Sequence, residues 1–231
     1  MPGSTVRPPA YQLLADELRA EITSGRLRAG ERLPPEPELC VRSGVSRSTV
    51  REALRLLASQ HLIVTTRGVT GGSFVAHPDA TQLTEALSTG LTLLSHAAGV
   101  GFADLLELRR ALEIPAAALA ATRRTEENLA QLRAAFFDPD HDDLDTMLNA
   151  HAEFHSAVAK ATGNPLYELV TRPLYHVSYG EEVIENLPGG YWQRIDADHR
   201  ELVGCLAAQD PEAAATAGRR HLDYITMANH R

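Results

Sequence analysis

The chain has 231 residues, of which 44 % are hydrophobic, so it is long enough for one large or two ordinary packed domains. It has no run of about 18 apolar residues, and its first ten residues lack the charged and apolar regions of a secretory signal. Its two cysteines, Cys40 and Cys205, lie far apart and form no disulfide framework, so we expect a cytoplasmic protein without a membrane partner.

The formal net charge of -8 is unevenly distributed along the chain. Residues up to His77 include 10 arginines and 7 acidic residues, a net charge of +3, whereas the remainder has a net charge of -11. A mildly basic part followed by an acidic part indicates two domains with different partners. We place these domains at residues 8–77 and 79–231.

The first part of the chain is predicted to contain three helices and a β-hairpin. Apolar residues recur at helical spacing, Gly44 marks a helix end, and Ser46 is a good N-cap for the helix that follows. We place the helices at residues 11–24, at 36–43 and after Ser46, and the strands at 62–66 and 73–75. Two helices joined by a tight turn predict a helix-turn-helix, and the hairpin is typical of a wing.

The third helix has an apolar face and, beside it, a stripe of arginines at every fourth position, Arg47, Arg51 and Arg55. Such a helix packs by one side and offers cations and small hydroxyls from the other, which suits a recognition helix in a DNA major groove. The alternative is a solvated surface helix that carries three arginines by chance.

Residues 26–75 resemble the winged helix-turn-helix of the GntR family of bacterial transcription regulators. The motifs are Gly-x-Leu-x-x-Gly at 25–30, Leu-Pro-x-Glu-x-x-Leu at 33–39, Gly-Val-Ser-Arg-x-x-Val-Arg-Glu-Ala-Leu at 44–54 and Gly-x-Phe-Val at 72–75. The resemblance implies a DNA interface made of Ser46, Arg47, Ser48, Thr49 and Arg51 on the recognition helix and of Arg67 and Gly68 at the wing tip. Pro37 stands where many members have a DNA-contacting arginine, so we expect a different operator or affinity.

The second part of the chain is predicted to be an all-α bundle that begins after His77-Pro78-Asp79. Its separators are rich in glycine, proline and aspartate, and the sequence shows no strand pattern and no internal repeat. We place the helices at residues 79–96, 102–122, 126–136, 143–161, 165–179, 191–209 and 211–228. The predicted fold class is therefore mainly α, a winged helix-turn-helix of three helices and a β-hairpin followed by a helical bundle.

Ten histidines are many for a chain of this length. His151 and His155 are four residues apart and share one helical face, and His199 and His221 lie on the last two helices of the bundle. Four imidazoles suit zinc, nickel, copper or iron better than magnesium or calcium. Two histidines at this spacing are nevertheless more often ordinary core or surface residues than ligands. His176 lies on a helix that could line the same cavity.

The bundle also carries motifs of a known ligand-binding domain. Leu108-Arg109-x-x-Leu112-Glu113, Phe154-His155, Gly163-Asn164-Pro165 and the pair His199 and His221 resemble the FCD domain of the FadR subfamily. The resemblance implies that His155, His199 and His221 bind a divalent metal, that His151 replaces a usual aspartate ligand, and that Arg109 helps hold a small carboxylate effector. We expect zinc first, with nickel, iron or manganese as alternatives, and no protein carboxylate that offsets the charge of the metal.

Together these observations predict an effector-responsive transcription regulator and not an enzyme. It would be a homodimeric repressor that binds an inverted-repeat operator in double-stranded DNA. The alternative is a metal-dependent hydrolase that uses the histidine cluster. The metalloprotease motif needs a glutamate directly after the first histidine, but Ala152 stands there and Glu153 is turned away from His151. A structural DNA-binding protein without an effector is a third interpretation, which Arg109 and the histidines disfavour.

Overall fold

The computed structural model describes residues 8–68, 71–97, 99–175 and 187–229. The chain divides into two compact units between Asp79 and Ala80. Both units are mainly helical, and the first also contains a two-stranded antiparallel sheet, so the predicted fold class is confirmed. Among the described residues, no helix combines the length and the apolar character that a membrane span requires.

The first unit places two helices around the tight turn that the sequence predicts. Its elements are α1 (Ala10–Thr23), α2 (Glu36–Ser43), α3 (Arg47–Ser59), β1 (Ile63–Thr66) and β2 (Gly72–Val75). Gly44 ends α2 with a φ of 65°, a left-handed conformation that glycine adopts without strain. The Ser46 hydroxyl begins α3 by accepting a hydrogen bond from the backbone N–H of Thr49 at 3.2 Å. Local capping signals therefore define this turn.

The wing is a short hairpin that is tied to the rest of the first unit. β1 and β2 pair antiparallel along their full lengths, and the backbone N–H of Leu33 donates to the carbonyl of Ser73 at 2.8 Å. At the turn, a Cβ on Gly71 would lie 2.6 Å from the carbonyl oxygen of Thr66, so a larger residue does not fit.

The apolar faces of the three helices and the inner side of the hairpin form one core in the first unit. Its buried members are Leu14, Ala15, Leu18, Leu33, Leu39, Val50, Ala53, Leu54, Leu57, Ile63 and Val75. Burying a side chain of leucine size stabilises a fold by about 1.5–3 kcal/mol. Because α3 uses its apolar face for this packing, its arginine stripe faces away from the core.

The second unit is the helical bundle that the sequence predicts. Its described helices are α4 (Ala80–Ala97), α5 (Phe102–Arg123), α6 (Glu126–Ala134), α7 (Leu144–Ala161), α8 (Pro165–Tyr175), α9 (Tyr191–Ala207) and α10 (Pro211–Ala228). Two of the described helices end two residues earlier than predicted. α6 ends at Ala134, and the backbone N–H of Ala135 donates to the carbonyls of Gln131 and Leu132 at this end. α9 stops before Gln209, whose φ of 55° is not helical. The last part of the predicted helix 165–179, with His176, lies outside the described residues.

Side-chain caps begin the two helices that carry most of the candidate ligands. Asp143 caps α7 by accepting from the backbone N–H of Thr146 at 2.8 Å. Asp210 caps α10 by accepting from the backbone N–H groups of Glu212 and Ala213. Pro211 follows as the first helical residue, a position that suits proline because no helical N–H is lost there. These caps fix where each helix begins and therefore which residues it turns inward.

Candidate functional site

Four histidines come together in the interior of the second unit. His151 and His155 lie on α7, His199 on α9 and His221 on α10, and at most 5 % of any of these residues is exposed. One nitrogen from each ring lies within 4.8 Å of the corresponding nitrogens of the other three. The structure thus gathers all four residues that the sequence analysis named as candidate metal ligands.

The hydrogen bonds of His155 define which of its nitrogens can bind a metal. Its Nδ1 lies 2.7 Å from Oε2 of Glu113, so Nδ1 carries the proton and Nε2 keeps its lone pair. That Nε2 atom lies 3.2 Å from Nε2 of His221 and 3.3 Å from Nη2 of Arg109. Nitrogens bound to one zinc ion at about 2.1 Å lie roughly 3.4 Å apart. The two Nε2 atoms therefore have the spacing of two ligands of a common ion.

His199 shows most clearly that the cluster is suited to a metal. Its ring lies between Phe154, at 3.8 Å between ring centroids, and His151, at 5.2 Å. Among the described residues, neither ring nitrogen of His199 has a hydrogen-bond partner, and Nδ1 of His151 has none either. A buried polar atom without a partner costs about 1–3 kcal/mol. Coordination to a metal ion would satisfy one nitrogen of each ring, so the donor set fits such an ion.

Three of the histidines, His151, His155 and His199, are held in the neutral form that a metal requires. Burial, followed by the positive charge of neighbouring groups, lowers the pKa of His151 and of His199 well below the usual value. Burial also lowers the pKa of His155 to about 4, although the Glu113 carboxylate partly opposes this shift. Neutral imidazoles at pH 7 present lone pairs and need not release a proton when they bind a metal.

Glu113 is a functional candidate that the sequence reasoning missed. It accepts from Nε of Arg109 at 2.5 Å as well as from His155. Burial alone would raise the pKa of Glu113, but Arg109 and His155 together lower it to about 2. The signal in the sequence is the spacing of four residues between Arg109 and Glu113 on one helix. The negative charge of Glu113 is matched by Arg109, so this carboxylate would not offset the charge of a metal ion.

Asp198 is a second carboxylate beside the cluster. Its Oδ2 lies 3.4 Å from Nδ1 of His221, and its Oδ1 accepts from Nε of Arg194 at 2.8 Å. Burial would raise the pKa of Asp198, but His221 and Arg194 outweigh it and lower the pKa. Carboxylates on the outer nitrogens of metal-binding histidines commonly set ring orientation.

The predicted effector-binding residue, Arg109, lies beside the histidines and is 1 % exposed. Its guanidinium is paired with Glu113 and lies 5.1 Å from the centroid of the Tyr175 ring. The Arg109–Glu113 pair and the Arg194–Asp198 pair are each neutral overall. A divalent ion among neutral histidines would therefore add two positive charges to this part of the interior.

Neither Glu153 nor Glu113 supplies the base that the hydrolase alternative needs. Glu153 is 60 % exposed and lies 3.6 Å from Arg172, so it is not directed at the histidines. Glu113 is close enough, but two hydrogen bonds hold its ionised form and its low pKa makes it a weak base near pH 7.

The predicted DNA-contacting residues at the start of α3 lie on the outside of the first unit. Ser46, Arg47, Ser48 and Arg51 are exposed, and Thr49 is half-buried. The Ser46 hydroxyl lies 2.8 Å from both the Ser48 and the Thr49 hydroxyl, and it also caps the helix. A helix N-terminus with hydroxyls and arginines favours a phosphate group.

A cleft of about 390 Å³ lies between α3 and the wing. Its charged lining residues are Glu36, Arg51, Arg55 and Arg67. Arg67 and Gly68 are exposed and follow β1 directly, while positions 69 and 70 lie outside the described residues. Arg51 is paired with Glu36 of α2 at 3.0 Å, a contact that the sequence analysis did not foresee.

Comparison with known proteins agrees with both halves of this description. Residues 10–75 match the model for bacterial regulatory proteins of the gntR family, and residues 104–224 match the FCD domain. The HTH-type transcriptional regulator LutR of Bacillus subtilis is 30 % identical over 216 residues, which cover 88 % of this chain and 94 % of LutR. The Glc operon transcriptional activator of Escherichia coli K12 is 28 % identical, with 97 % and 90 % covered.

A solved structure extends this similarity to the fold. Streptococcus agalactiae GntR is 26 % identical, and the match covers 94 % of this chain and 99 % of that one with a TM-score of 0.59. The two family models match the same parts of the chain as the motifs in the sequence. The chain therefore belongs to the gntR family of bacterial regulatory proteins and carries an FCD domain.

Proposed function

We propose that this protein is a transcription regulator whose binding to an operator is modulated by a small carboxylate bound at a divalent metal. The family match and the exposed arginines of α3 support the DNA-binding part. The observation that carries the effector part is the cluster of four buried imidazoles, in which both nitrogens of His199 lack a hydrogen-bond partner among the described residues.

The proposed metal ligands are His151, His155, His199 and His221. Nitrogen ligands favour zinc, with nickel, iron or manganese as alternatives, and a bound ion would act as a Lewis acid toward a carboxylate oxygen. Glu113 fixes the tautomer of His155, which leaves Nε2 as the ligand atom. Asp198 lies where it can orient His221 in the same way.

The charge of the cluster supports an anionic effector. Four neutral imidazoles leave the charge of a divalent ion uncompensated, and buried positive charge is costly unless it is paired. A small mono- or dicarboxylate would supply that negative charge. Arg109 is the proposed second contact because its planar fork matches a carboxylate, although in this structure it already binds Glu113.

Metal content tests the site directly. We expect one divalent ion per chain in the wild-type protein and a large loss of metal in His155→Ala and in His221→Ala. His151→Asp, which keeps a ligand atom, should retain the ion. His141, an exposed histidine outside the cluster, supplies the control His141→Ala. Elemental analysis that finds equal metal in all five proteins would rule out this site.

Thermal unfolding of the metal-loaded protein tests the class of effector. Small carboxylates should raise the unfolding temperature according to RT ln(1 + [L]/Kd), whereas neutral sugars and amines should not. Chelation should abolish the shift, and the active acids should also change the affinity for a duplex selected from a random-sequence library. A screen whose only hits are uncharged, or whose hits survive chelation, would contradict the proposed pocket chemistry.

We further propose that the regulator is a repressor and that it acts as a homodimer. Its operator should then be an inverted repeat, because a two-fold dimer reads two equivalent half-sites. One relative is named as an activator, so the direction of regulation needs its own test. Expression of a reporter behind the selected operator should rise when the protein is removed. Footprinting should protect two half-sites, and a single protected half-site would contradict the dimer.

A further inference from the structure

Arg51 on α3 makes an ion pair that crosses to a different helix. Its Nε lies 3.1 and 3.0 Å from the two carboxylate oxygens of Glu36, which belongs to α2. Arg55, one turn further along the same stripe, pairs instead with Glu52 of its own helix at 2.8 Å. Both arginine side chains are largely exposed, and ion pairs of exposed side chains contribute little to stability. The link between Glu36 and Arg51 is therefore not needed to hold the fold together.

The geometry of this pair determines which edge of Arg51 can meet DNA. A guanidinium has five N–H donors, one on Nε and four on the two Nη atoms. Glu36 is bound through Nε, so the edge formed by the two Nη groups lies outside the ion pair. A guanine in the major groove presents two acceptors, O6 and N7, which bind two neighbouring donors of one arginine. The ion pair therefore leaves a complete donor fork for such a base.

The start of α2 fixes the backbone position of Glu36. It is the first residue of α2 and follows Pro35, whose φ of -58° sets the entry of the chain into the helix. A carboxylate at this end of a helix is stabilised by the exposed N–H groups of the first turn. An arginine side chain that is already ordered by such a partner loses less conformational freedom when it binds a base.

The charge of Glu36 also acts on DNA itself. A carboxylate in the cleft between α3 and the wing repels phosphates, and this repulsion opposes binding to every sequence alike. Ordering of Arg51 helps only where a guanine meets its Nη edge. We propose that Glu36 is a positioning residue that directs Arg51 toward a guanine and so raises the ratio of specific to non-specific DNA affinity. This inference rests on the proposed function of α3 as the recognition helix.

The test uses the full chain and a duplex library of random sequence. The wild type is compared with Glu36→Gln, Arg51→Ala and the double variant of these two. Glu52→Gln is the matched control, because it removes the same charge from a carboxylate that pairs with a neighbouring arginine of the same helix. Binding to the selected duplex and to unselected duplex is then measured for each protein, with thermal unfolding as a check on folding.

We expect the wild type to enrich sequences with a guanine that Arg51→Ala no longer prefers. Glu36→Gln should weaken the preference for that guanine by about two- to tenfold, the lower part of the range for residues in direct contact. It should also bind unselected duplex more tightly than the wild type does. Glu52→Gln should keep the guanine preference. The double-mutant cycle should give a coupling free energy between positions 36 and 51 for binding to the selected duplex, and none for binding to unselected duplex.

Three results would overturn the inference, and they can be told apart. If Glu36→Gln keeps the guanine preference as fully as Glu52→Gln does, Glu36 does not position Arg51. If Arg51→Ala keeps it, another residue reads the base, and the inference fails while sequence-specific binding stands. If the wild type enriches no sequence, the proposed function fails as well. Unchanged thermal unfolding of Glu36→Gln would show that a changed preference does not come from misfolding.

Discussion

The two units of this protein place their ion pairs in opposite surroundings. In the first unit, the side chain of Arg51 is 60 % exposed in its pair with Glu36. In the second unit, the side chain of Arg109 is 2 % exposed in its pair with Glu113. Water screens the first kind of pair, whereas a buried charge that loses its partner is strongly destabilising. The first unit can therefore present a charged side chain to DNA at low cost while its ion pair persists, whereas the second unit holds its charges fixed around a site.

Removal of one buried carboxylate should give the largest effect on stability. We expect Glu113→Ala to lower the free energy of unfolding by about 3–5 kcal/mol, because the buried Arg109 and His155 both lose the carboxylate of Glu113. The matched change in the first unit, Glu52→Ala, should cost less than about 1 kcal/mol because the pair is exposed. Urea unfolding of the metal-free proteins, followed by circular dichroism, measures both values.

A similar loss of unfolding free energy in the two variants would contradict the difference between the units.

A further variant separates two causes of this loss. If Arg109 and Glu113 are replaced together by methionine and leucine, no unpaired charge is left, and the cost should be smaller than that of Glu113→Ala alone. This double replacement separates the penalty of an uncompensated charge from the loss of packing.

The buried histidines should make the metal-free protein sensitive to mild acid. The pKa of His155 is about 4 in the folded protein, below the usual 6.5 of the unfolded chain. Between these values the unfolded chain binds more protons, so the free energy of unfolding falls as the pH is lowered from about 6.5. His151 and His199 act in the same direction. Each histidine contributes a slope of at most about 1.4 kcal/mol per pH unit.

Urea unfolding at several pH values between 7 and 5 gives this slope for the metal-free protein. The variant His155→Asn lacks one of the titrating rings, so its stability should depend less steeply on pH. If the wild type were equally stable at pH 7 and pH 5, the histidines would not be buried in the neutral form. The proposed difference between exposed charges in the first unit and buried, neutral histidines in the second unit would then be wrong.

The sequence predicted best the features that local signals determine. Gly44 and Ser46 mark the turn of the helix-turn-helix by their own conformational and capping preferences, and the structure places both as predicted. The helix ends at Ala134 and Ala207 were predicted two residues too late. Nothing in the local sequence marks the end of α6 at Ala134 or the positive φ of Gln209.

The candidate site was predictable only in part, because its contacts join distant segments. The four histidines could be named from their spacing and from a family resemblance. Their carboxylate partners could not, since Glu113 meets His155 only when α5 packs against α7. The same holds for Glu36, which reaches Arg51 through the packing of α2 on α3. Periodicity shows which face of a helix turns inward, but not which helix it meets.

The smallest effect that we predict concerns the exposed charge of the wing. Arg67 follows β1 at the edge of the cleft, so we expect it to contact phosphates and not bases. Loss of one phosphate contact should reduce the slope of log K against log salt by about 0.9 for each bound chain, which is roughly a factor of two in affinity when the salt doubles. Because phosphates carry no base information, Arg67→Ala should change this slope equally on selected and unselected duplexes. Arg42→Ala is the matched control, because Arg42 pairs with Glu17 and Glu21 of α1 and does not line the cleft. A slope that changes only on the selected duplex would mean that the wing reads bases, and a slope that does not change would place Arg67 away from the DNA.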